Sequence, residues 1–241
     1  MEKQRLDKLL ASTGRWSRRE VKELIRLGRV LVDGVPAAKP EDKADPERAA
    51  LAVDGEVLDW RRFTWLMMNK PAGVLSATED GRGRTVLDLL EPALRRQELF
   101  PVGRLDKDTE GLLLLTNDGQ TAHRLLSPKY HVDKVYYTRV DGTLTQEDCR
   151  AFAGGMVLED GFHCLPAKLE ILRAGPESEA LVTLREGKFH QVKRMLAHQG
   201  KPVLYLKRVK MGNLPLDPAL LPGAYRELSE EEAALIENRV R

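Results

Sequence analysis

The sequence has few cysteines and no long apolar run. Its two cysteines, Cys149 and Cys164, form neither a metal-ligand spacing nor a framework of disulfides. No apolar stretch approaches the roughly 18 residues of a membrane span. The N-terminal residues, MEKQRLDK, contain no signal-peptide core, and repeats and low-complexity tracts are absent. Together with a hydrophobic content of 42%, these absences predict a cytoplasmic, globular protein and exclude a membrane protein.

The net charge is also small, only +2, but the charges are unevenly distributed along the chain. Residues 1–30 contain nine lysines and arginines against four acids. Residues 184–210 contain eight against a single acid, Glu186. Basic stretches in an otherwise nearly neutral protein are typical of surfaces that bind a polyanion such as nucleic acid.

The first basic stretch contains a predicted helix with a charged face. Ser17-Arg18-Arg19-Glu20 has the form of a capping box, which starts a helix, and Gly28 is suited to end it. Four side chains fall within an arc of roughly 100° on this helix, and we call them the cationic arc: Arg18, Arg19, Lys22 and Arg26. The arc contains no acid, which favours RNA binding over the alternative, a solvated face of an amphipathic helix.

This N-terminal region resembles an S4 domain, a small RNA-binding module. The resemblance rests on R-L-D-K-L-L-A, S-R-R-E-V and I-R-x-G-R-V-x-V-D-G, and it covers about residues 3–60. It implies binding through phosphates and RNA shape, which would deliver the substrate without choosing the reacting base. We therefore expect an S4 domain at residues 1–60, a linker near 59–63 and a second domain at 61–241.

Residues 103–119, GRLDKDTEGLLLLTNDG, combine acidic residues with a short apolar run. The leucines at 112–115 are uninterrupted and bounded by turn residues. They predict a buried strand, although periodicity alone also allows a buried helical turn. Asp106 then lies on a loop at the mouth of the strand, where a carboxylate is available for chemistry. A solvated polar turn is the commoner use of such a loop.

The acidic residues of this loop are compatible with more than one chemistry. Asp106, Asp108 and Glu110 imitate the start of a calcium-binding loop. However, Asn117 stands at the twelfth position, where such a loop needs a bidentate carboxylate, so we expect no calcium. A hydrolase that uses two carboxylates remains possible on residue types alone.

The whole stretch 103–119 resembles the central motif of the pseudouridine synthases, in the RsuA branch that acts on small-subunit ribosomal RNA. The resemblance places the catalytic aspartate of the family at Asp106 and the arginine of the motif at Arg104. Three further stretches occur in the order of the family: N-K-P-x-G at 69–73, K-x-Y-x-x-x-V at 134–140 and E-G-x-x-H-Q-V-K-R-M at 186–195. The resemblance, carried by these four motifs in the order of the family, covers essentially the entire chain.

These motifs imply roles for individual residues. Tyr136 falls on the tyrosine that stacks against the target base, whereas Tyr137 points to the opposite face of a regular strand. Lys193 falls on the cation that pairs with the catalytic aspartate. His190 and Arg194, in the same motif, are expected to contact RNA. We interpret the N-K-P-x-G stretch as structural.

The element pattern predicts an α+β protein, and the resemblance adds a mixed, largely antiparallel sheet with a central cleft. Helices are predicted at 85–94, 122–126, 145–154, 190–196 and 222–241, and strands at 64–68, 134–140, 181–184 and 202–206. A basic cluster after the last strand, Lys207, Arg208 and Lys210, is expected to continue the wall of the cleft.

The resemblance implies isomerisation of a uridine to pseudouridine without a metal or other cofactor. In this chemistry Asp106 attacks, Tyr136 holds the flipped base and Arg104 helps to fill the vacated space. The point of first attack stays open between C1′ of the ribose, the base ring and an initial proton abstraction. We expect a monomer acting on small-subunit ribosomal RNA or a ribosomal assembly intermediate. Large-subunit RNA and a non-catalytic ribosome-assembly factor are the alternatives.

Overall fold

The computed structural model describes residues 3–46, 48–58 and 63–237. The chain divides into two compact units: residues up to 64 together with 90–99, and residues 65–89 together with those from 100 onward. The predicted domain boundary after residue 60, and all of the predicted linker except Phe63, lie outside the described residues. No helix in the described ranges has the length and apolar character needed to cross a membrane.

In its described residues, the first unit combines three helices with two small sheets. Its elements are β1 (Gln4–Arg5), α1 (Leu6–Ser12), α2 (Arg18–Arg26), β2 (Val30–Val32), β3 (Val35–Pro36), β4 (Lys43–Ala44), β5 (Leu51–Val53), β6 (Glu56–Val57) and α3 (Pro92–Arg95). Strand β1 pairs with β4, and the other strands form a sheet in the order β3-β2-β5-β6. Asp33 and Gly34, both at positive φ, form the two-residue turn between β2 and β3.

The predicted helix of the first basic stretch is confirmed as α2. Its capping box is complete: the Glu20 amide donates to Ser17 Oγ at 3.2 Å, and the Ser17 amide donates to Glu20 Oε2 at 2.6 Å. The apolar side of the helix is buried in the core of the unit through Val21, Leu24 and Ile25. The opposite side is therefore free to carry charge.

The second unit is built around one large sheet. Its elements are β7 (Trp65–Lys70), a 3₁₀ helix (Val86–Leu89), β8 (Phe100–Pro101), β9 (Glu110–Thr116), α4 (Gly119–Leu126), a 3₁₀ helix (Pro128–Tyr130), β10 (Lys134–Asp141), α5 (Gln146–Gly154), β11 (Met156–Val157), β12 (His163–Cys164), β13 (Lys168–Arg173), β14 (Glu177–Leu184), α6 (Gln191–His198), β15 (Val203–Met211), β16 (Leu214–Pro215), β17 (Tyr225–Glu227) and α7 (Glu230–Glu237).

The strand order of the large sheet is β13-β14-β10-β15-β9-β7-β17, with β16 beside β15 and β8 beside β9. Among the described strands of this sheet, β15 and β9 form the one parallel pair, and the other pairs are antiparallel. The expected mixed, largely antiparallel sheet is therefore confirmed. Helix α5 packs against β13 and α6 against β15.

The alternation of side chains along two strands prepares the site. Along β10, Lys134, Tyr136, Thr138 and Val140 are buried and the residues between them are partly exposed, so Tyr136 and Tyr137 lie on opposite faces of the strand, as predicted. In β9 the leucines at 112–115 are all buried because both faces of this central strand are covered. The apolar run is therefore a strand and not a helical turn.

Several predicted elements differ in extent, and three of the differences have an identifiable cause. The strand predicted at 202–206 continues to Met211, so Arg208 lies buried within the sheet and does not extend the cleft wall. The helix predicted at 85–94 is a 3₁₀ turn at Val86–Leu89 followed by the separate helix α3, which starts at Pro92 because proline suits a first helical turn and not an interior. The terminal helix begins only after the capping residue Ser229, because β17 precedes it.

Candidate active site

Asp106 lies on the loop that enters β9, beside an open cleft of about 420 Å³. Its side chain is 26% exposed, so the carboxylate is accessible while its neighbours restrict it. The cleft is lined by Arg104, Leu105, Asp106, Thr109, Tyr136, Leu184, Gly187, Lys188, His190, Gln191, Val192 and Leu206. These residues come from the loop before β9 (residues 104–109, called the catalytic loop because it carries the predicted catalytic aspartate), from β10, β14 and β15, and from the start of α6 with the loop before it.

The structure brings together most of the residues singled out in the second domain. Arg104, Asp106, Tyr136 and His190 all line the cleft. Lys193, one turn into α6, places its Nζ 3.5 Å from Asp106 Oδ2. Arg194 is not among the lining residues; its Nη2 instead lies 2.5 Å from Asp160 Oδ2.

The cationic arc lies on α2 of the first unit. Within the described residues Arg18, Arg19 and Lys22 are exposed and form no ion pair. Arg26 differs, because its guanidinium donates to both carboxylate oxygens of Glu23, at 2.9 and 2.5 Å. This contact raises the pKa of Arg26 and lowers that of Glu23, and it leaves three of the four cations of the arc for an external anion.

Lys193 bridges two carboxylates rather than one. Besides its contact with Asp106, its Nζ donates to Asp108 Oδ1 at 2.5 Å. The hydrogen bond from Lys193 lowers the pKa of Asp108, whose side chain is 74% exposed. The predicted partner of Lys193 is Asp106, at 3.5 Å, but Asp108 is the nearer partner, at 2.5 Å. Through both contacts Lys193 ties α6 to the loop.

Lys70, at the end of β7, holds the backbone of the catalytic loop from below. Its Nζ is fully buried and lies 3.1, 3.3 and 2.9 Å from the carbonyl oxygens of Asp106, Lys107 and Thr109, and 3.0 Å from that of Pro71. Burial lowers the pKa of Lys70 to about 8, an effect partly opposed by the nearby carboxylates. The position of Asp106 thus depends on Lys70, which belongs to the stretch interpreted above as structural.

Arg208 supports the same segment from the neighbouring strand. It is buried opposite Gly111, and its Nε donates to the carbonyl oxygen of Leu112 at 2.8 Å. Gly111 has a φ of +102°, and a Cβ added there would lie only 2.2 Å from the Arg208 carbonyl oxygen. The glycine of the motif is therefore required by the close approach of β9 to β15. Lys70 and Arg208 together satisfy carbonyls on both sides of Gly111.

Tyr136 forms part of the floor of the cleft. It is buried opposite Val182 of β14 and Arg208 of β15, and the apolar residues Leu184, Val192 and Leu206 line the same cleft. A flat aromatic ring among apolar walls is suited to hold a planar base by stacking. Tyr137 is on the other face, where its ring meets Tyr205 edge-on at 6.1 Å between centroids.

The loop before α6 is held rigidly against the cleft. The buried Glu186 carboxylate accepts from Gln191 Nε2 at 2.5 Å and from the Leu165 amide at 2.8 Å. Gln191 Oε1 in turn accepts from the Lys188 amide at 3.1 Å. His190 follows at a φ of +50°, and its Nε2 lies 3.5 Å from Asp106 Oδ1.

The sequence contains a signal for the buried position of Lys70. Residues 65–70 read WLMMNK before a proline, so a lysine ends an apolar strand. A lysine in such a strand is rarely buried without acceptors, and a cluster of carbonyl oxygens is one way to supply them. The identity of those acceptors depends on tertiary contacts.

The chain is similar to known proteins along nearly its whole length. A family model described as RNA pseudouridylate synthase matches residues 64–198, and an S4 domain model matches residues 4–48. The uncharacterized RNA pseudouridine synthase YtzG of Bacillus subtilis is 53% identical, over 96% of this chain and 98% of the relative.

The relatives that carry the name ribosomal small subunit pseudouridine synthase A include proteins from Pseudomonas aeruginosa and Vibrio cholerae. The protein from Pseudomonas aeruginosa is 42% identical over 95% of this chain and 98% of the relative. The protein from Vibrio cholerae is 40% identical over 96% of this chain and 99% of the relative. A crystal structure of a pseudouridylate synthase, 35% identical, matches with a TM-score of 0.68 over 98% of this chain and 100% of that one.

Proposed function

The chain belongs to the RNA pseudouridylate synthase family, and from that premise we propose that it converts one uridine of small-subunit ribosomal RNA to pseudouridine. The observation that carries the site assignment is the position of Asp106 at the cleft, 3.5 Å from Lys193 and in the same lining as Tyr136. Relatives named for the small ribosomal subunit, similar over almost their whole length, support this choice of RNA.

The reaction needs a positioned carboxylate and a site for an unstacked base. The N1–C1′ bond of uridine breaks and a C5–C1′ bond forms, while C5 loses its proton and N1 gains one. Asp106 initiates this exchange, and Lys193 supplies a positive charge next to the carboxylate. Tyr136 holds the base in the cleft during the rotation. The exposed side chain of Arg104 fills the space that the flipped base leaves in the RNA stack.

The first unit delivers the RNA in this proposal. Its model match to the S4 domain and the exposed side chains of Arg18, Arg19 and Lys22 support phosphate binding there. Such contacts add affinity without reading bases, so selection of the uridine belongs to the cleft. We further propose that the protein works as a cytoplasmic monomer, on the RNA or on an assembly intermediate; its sedimentation with and without RNA tests the monomer.

The test uses ribosomal RNA transcripts labelled with tritium at C5 of uridine, because each conversion releases that tritium. Wild-type protein is expected to release tritium from small-subunit RNA, and Asp106→Asn to release none while binding RNA within about tenfold, or about 1.4 kcal/mol. Asp108→Asn is the matched control in the same loop and should keep measurable activity, because Asp108 is mostly exposed.

Release of tritium from large-subunit RNA alone would show that the substrate is large-subunit RNA and not small-subunit RNA. Substantial turnover by purified Asp106→Asn would refute the catalytic assignment. Tight RNA binding without any release by wild-type protein would point to a binding factor instead.

A further inference from the structure

An exposed aromatic side chain lies beside the cleft and has no role in the function proposed above. Phe189 is 75% exposed, more than any other large apolar side chain of the described residues. Its ring stacks on His190 with 3.8 Å between centroids and 17° between planes. His190 itself lines the cleft, and its Nε2 lies 3.5 Å from Asp106 Oδ1. The stacked rings of His190 and Phe189 therefore extend from the cleft to exposed surface.

The local backbone holds this arrangement at a cost in free energy. His190 has a φ of +50°, in the left-handed region that residues other than glycine rarely adopt. The preceding loop is fixed by the hydrogen bonds of Glu186 and Gln191. Strain of this kind, maintained by rigid surroundings, is characteristic of functional sites. Simple packing does not explain it, because most of the Phe189 surface is exposed.

The surroundings indicate what the exposed ring binds. Lys188 adjoins Phe189 in sequence and is exposed, with its Nζ 5.9 Å from the centroid of the Phe162 ring. A lysine next to an exposed aromatic residue suits a single-stranded nucleic acid, in which bases stack on rings while phosphates meet lysines. Tyr136 already provides a buried site for the target base within the cleft, so Phe189 is available for another base.

We propose that Phe189, supported by His190, is a stacking platform for a base of the substrate RNA that flanks the target uridine. The proposal rests on the proposed function, since it assigns a second RNA contact to the same site. When the uridine is flipped out, the bases on either side of it lose part of their stacking. A ring at the rim of the cleft replaces the lost stacking for one of these bases. Phe189 thereby stabilises the opened RNA without touching the reacting atoms.

The binding test uses Asp106→Asn protein, which holds RNA without converting it, and a small-subunit RNA transcript. In this background Phe189→Leu should raise the Kd by about tenfold, equivalent to about 1.4 kcal/mol, because leucine cannot stack. Phe189→Trp should bind as tightly as phenylalanine. Since no charge is lost, the salt dependence of the Kd should not change. Leu221→Ala, at a side chain 72% exposed outside the cleft lining, is the control and should leave the Kd unchanged.

The turnover test separates stacking from an indirect effect through His190. With Asp106 intact, Phe189→Leu should lower kcat/KM by about tenfold while the rate at saturating RNA stays near that of the wild type. An unchanged Kd for Phe189→Leu, or equal losses for Phe189→Leu and Phe189→Trp, would overturn the proposal. A fall in the saturated rate with unchanged Kd would also overturn it, because Phe189 would then only position His190. If wild-type protein releases no tritium but Phe189→Leu weakens binding and Phe189→Trp does not, the proposed function fails, whereas a role of Phe189 in stacking on RNA stands.

Discussion

Replacing Lys70 with methionine removes the buried ammonium from beneath the catalytic loop. Methionine has a similar length and fills the space, but it leaves the carbonyl oxygens of Asp106, Lys107 and Thr109 without their donor. Lys134→Met is a matched control. Lys134 is also buried in the sheet, and burial lowers its pKa to about 8 as well, yet among the described residues its Nζ contacts only the carbonyl oxygen of Val132, at 3.1 Å.

The expected magnitudes follow from two opposing contributions. Three ammonium protons can make three hydrogen bonds at Lys70, each worth about 1.5–3 kcal/mol, or about 4.5–9 kcal/mol together. The cost of burial opposes these hydrogen bonds. A fall of the Lys70 pKa from 10.5 to about 8 means that the folded protein disfavours the charged ammonium by about 3 kcal/mol relative to the unfolded chain. Lys70→Met should therefore destabilise the second unit by about 2–6 kcal/mol. Lys134→Met loses one hydrogen bond and regains a similar desolvation cost, so its stability should change by less than about 1.5 kcal/mol.

Urea unfolding followed by far-UV circular dichroism measures both free energies, and tritium release measures activity. Because unfolded Lys70 binds its proton more tightly than folded Lys70, stability should rise as the pH rises from about 8 to 10.5. Lys70→Met should remove about 3 kcal/mol of that rise. Equal destabilisation by Lys70→Met and Lys134→Met, or full activity of Lys70→Met, would refute the assigned role of the four carbonyl contacts.

Two other perturbations test the electrostatic contacts. Lys193→Arg should keep part of the activity, because arginine retains a positive charge next to Asp106. Lys193→Met should lower kcat by about 100-fold, which is the effect of removing one electrostatic stabiliser. Equal rates for wild type and Lys193→Met would refute the pairing with Asp106. Changing Arg18, Arg19 and Lys22 together to glutamine should lower the log–log salt slope of RNA binding by about 2, with the saturated rate little changed. Arg26→Gln is the control and should leave the slope unchanged, because Arg26 is already paired with Glu23. An unchanged slope in the triple variant would mean that the cationic arc is a solvated helix face that does not bind RNA.

Local patterns predicted several elements. The capping box at Ser17, the apolar run at 112–115 and the β-branched and aromatic content around Tyr136 each depend on residues adjacent in sequence, and the structure contains a corresponding helix and two strands. At 112–115 the sequence alone also allowed a helical turn. The grouping of Asp106, Tyr136 and His190 at one cleft was predicted from the resemblance. Spacing alone left it undetermined, because these residues lie on separate elements.

The support of the site could not be predicted in the same way. Lys70 obtains its acceptors from a loop far along the chain, so its role depends on the pairing of β7 with β9. Arg208 looked like part of a basic surface, but the extension of β15 beside Gly111 buries it. Asp108 is closer to Lys193 than Asp106 is, and only the position of α6 determines that.

The central position of β15 has a consequence for how the protein is made. This strand joins β10 to β9, although both precede it by long stretches of chain, so the sheet stays divided until Val203–Met211 has been synthesised. Pairings between distant segments fold slowly, because the closure of long loops must precede the contacts. The hairpin pairings of β2, β3, β5 and β6 are local by comparison. During translation these local pairings can therefore form well before β15 joins β10 to β9, the strand that follows Asp106.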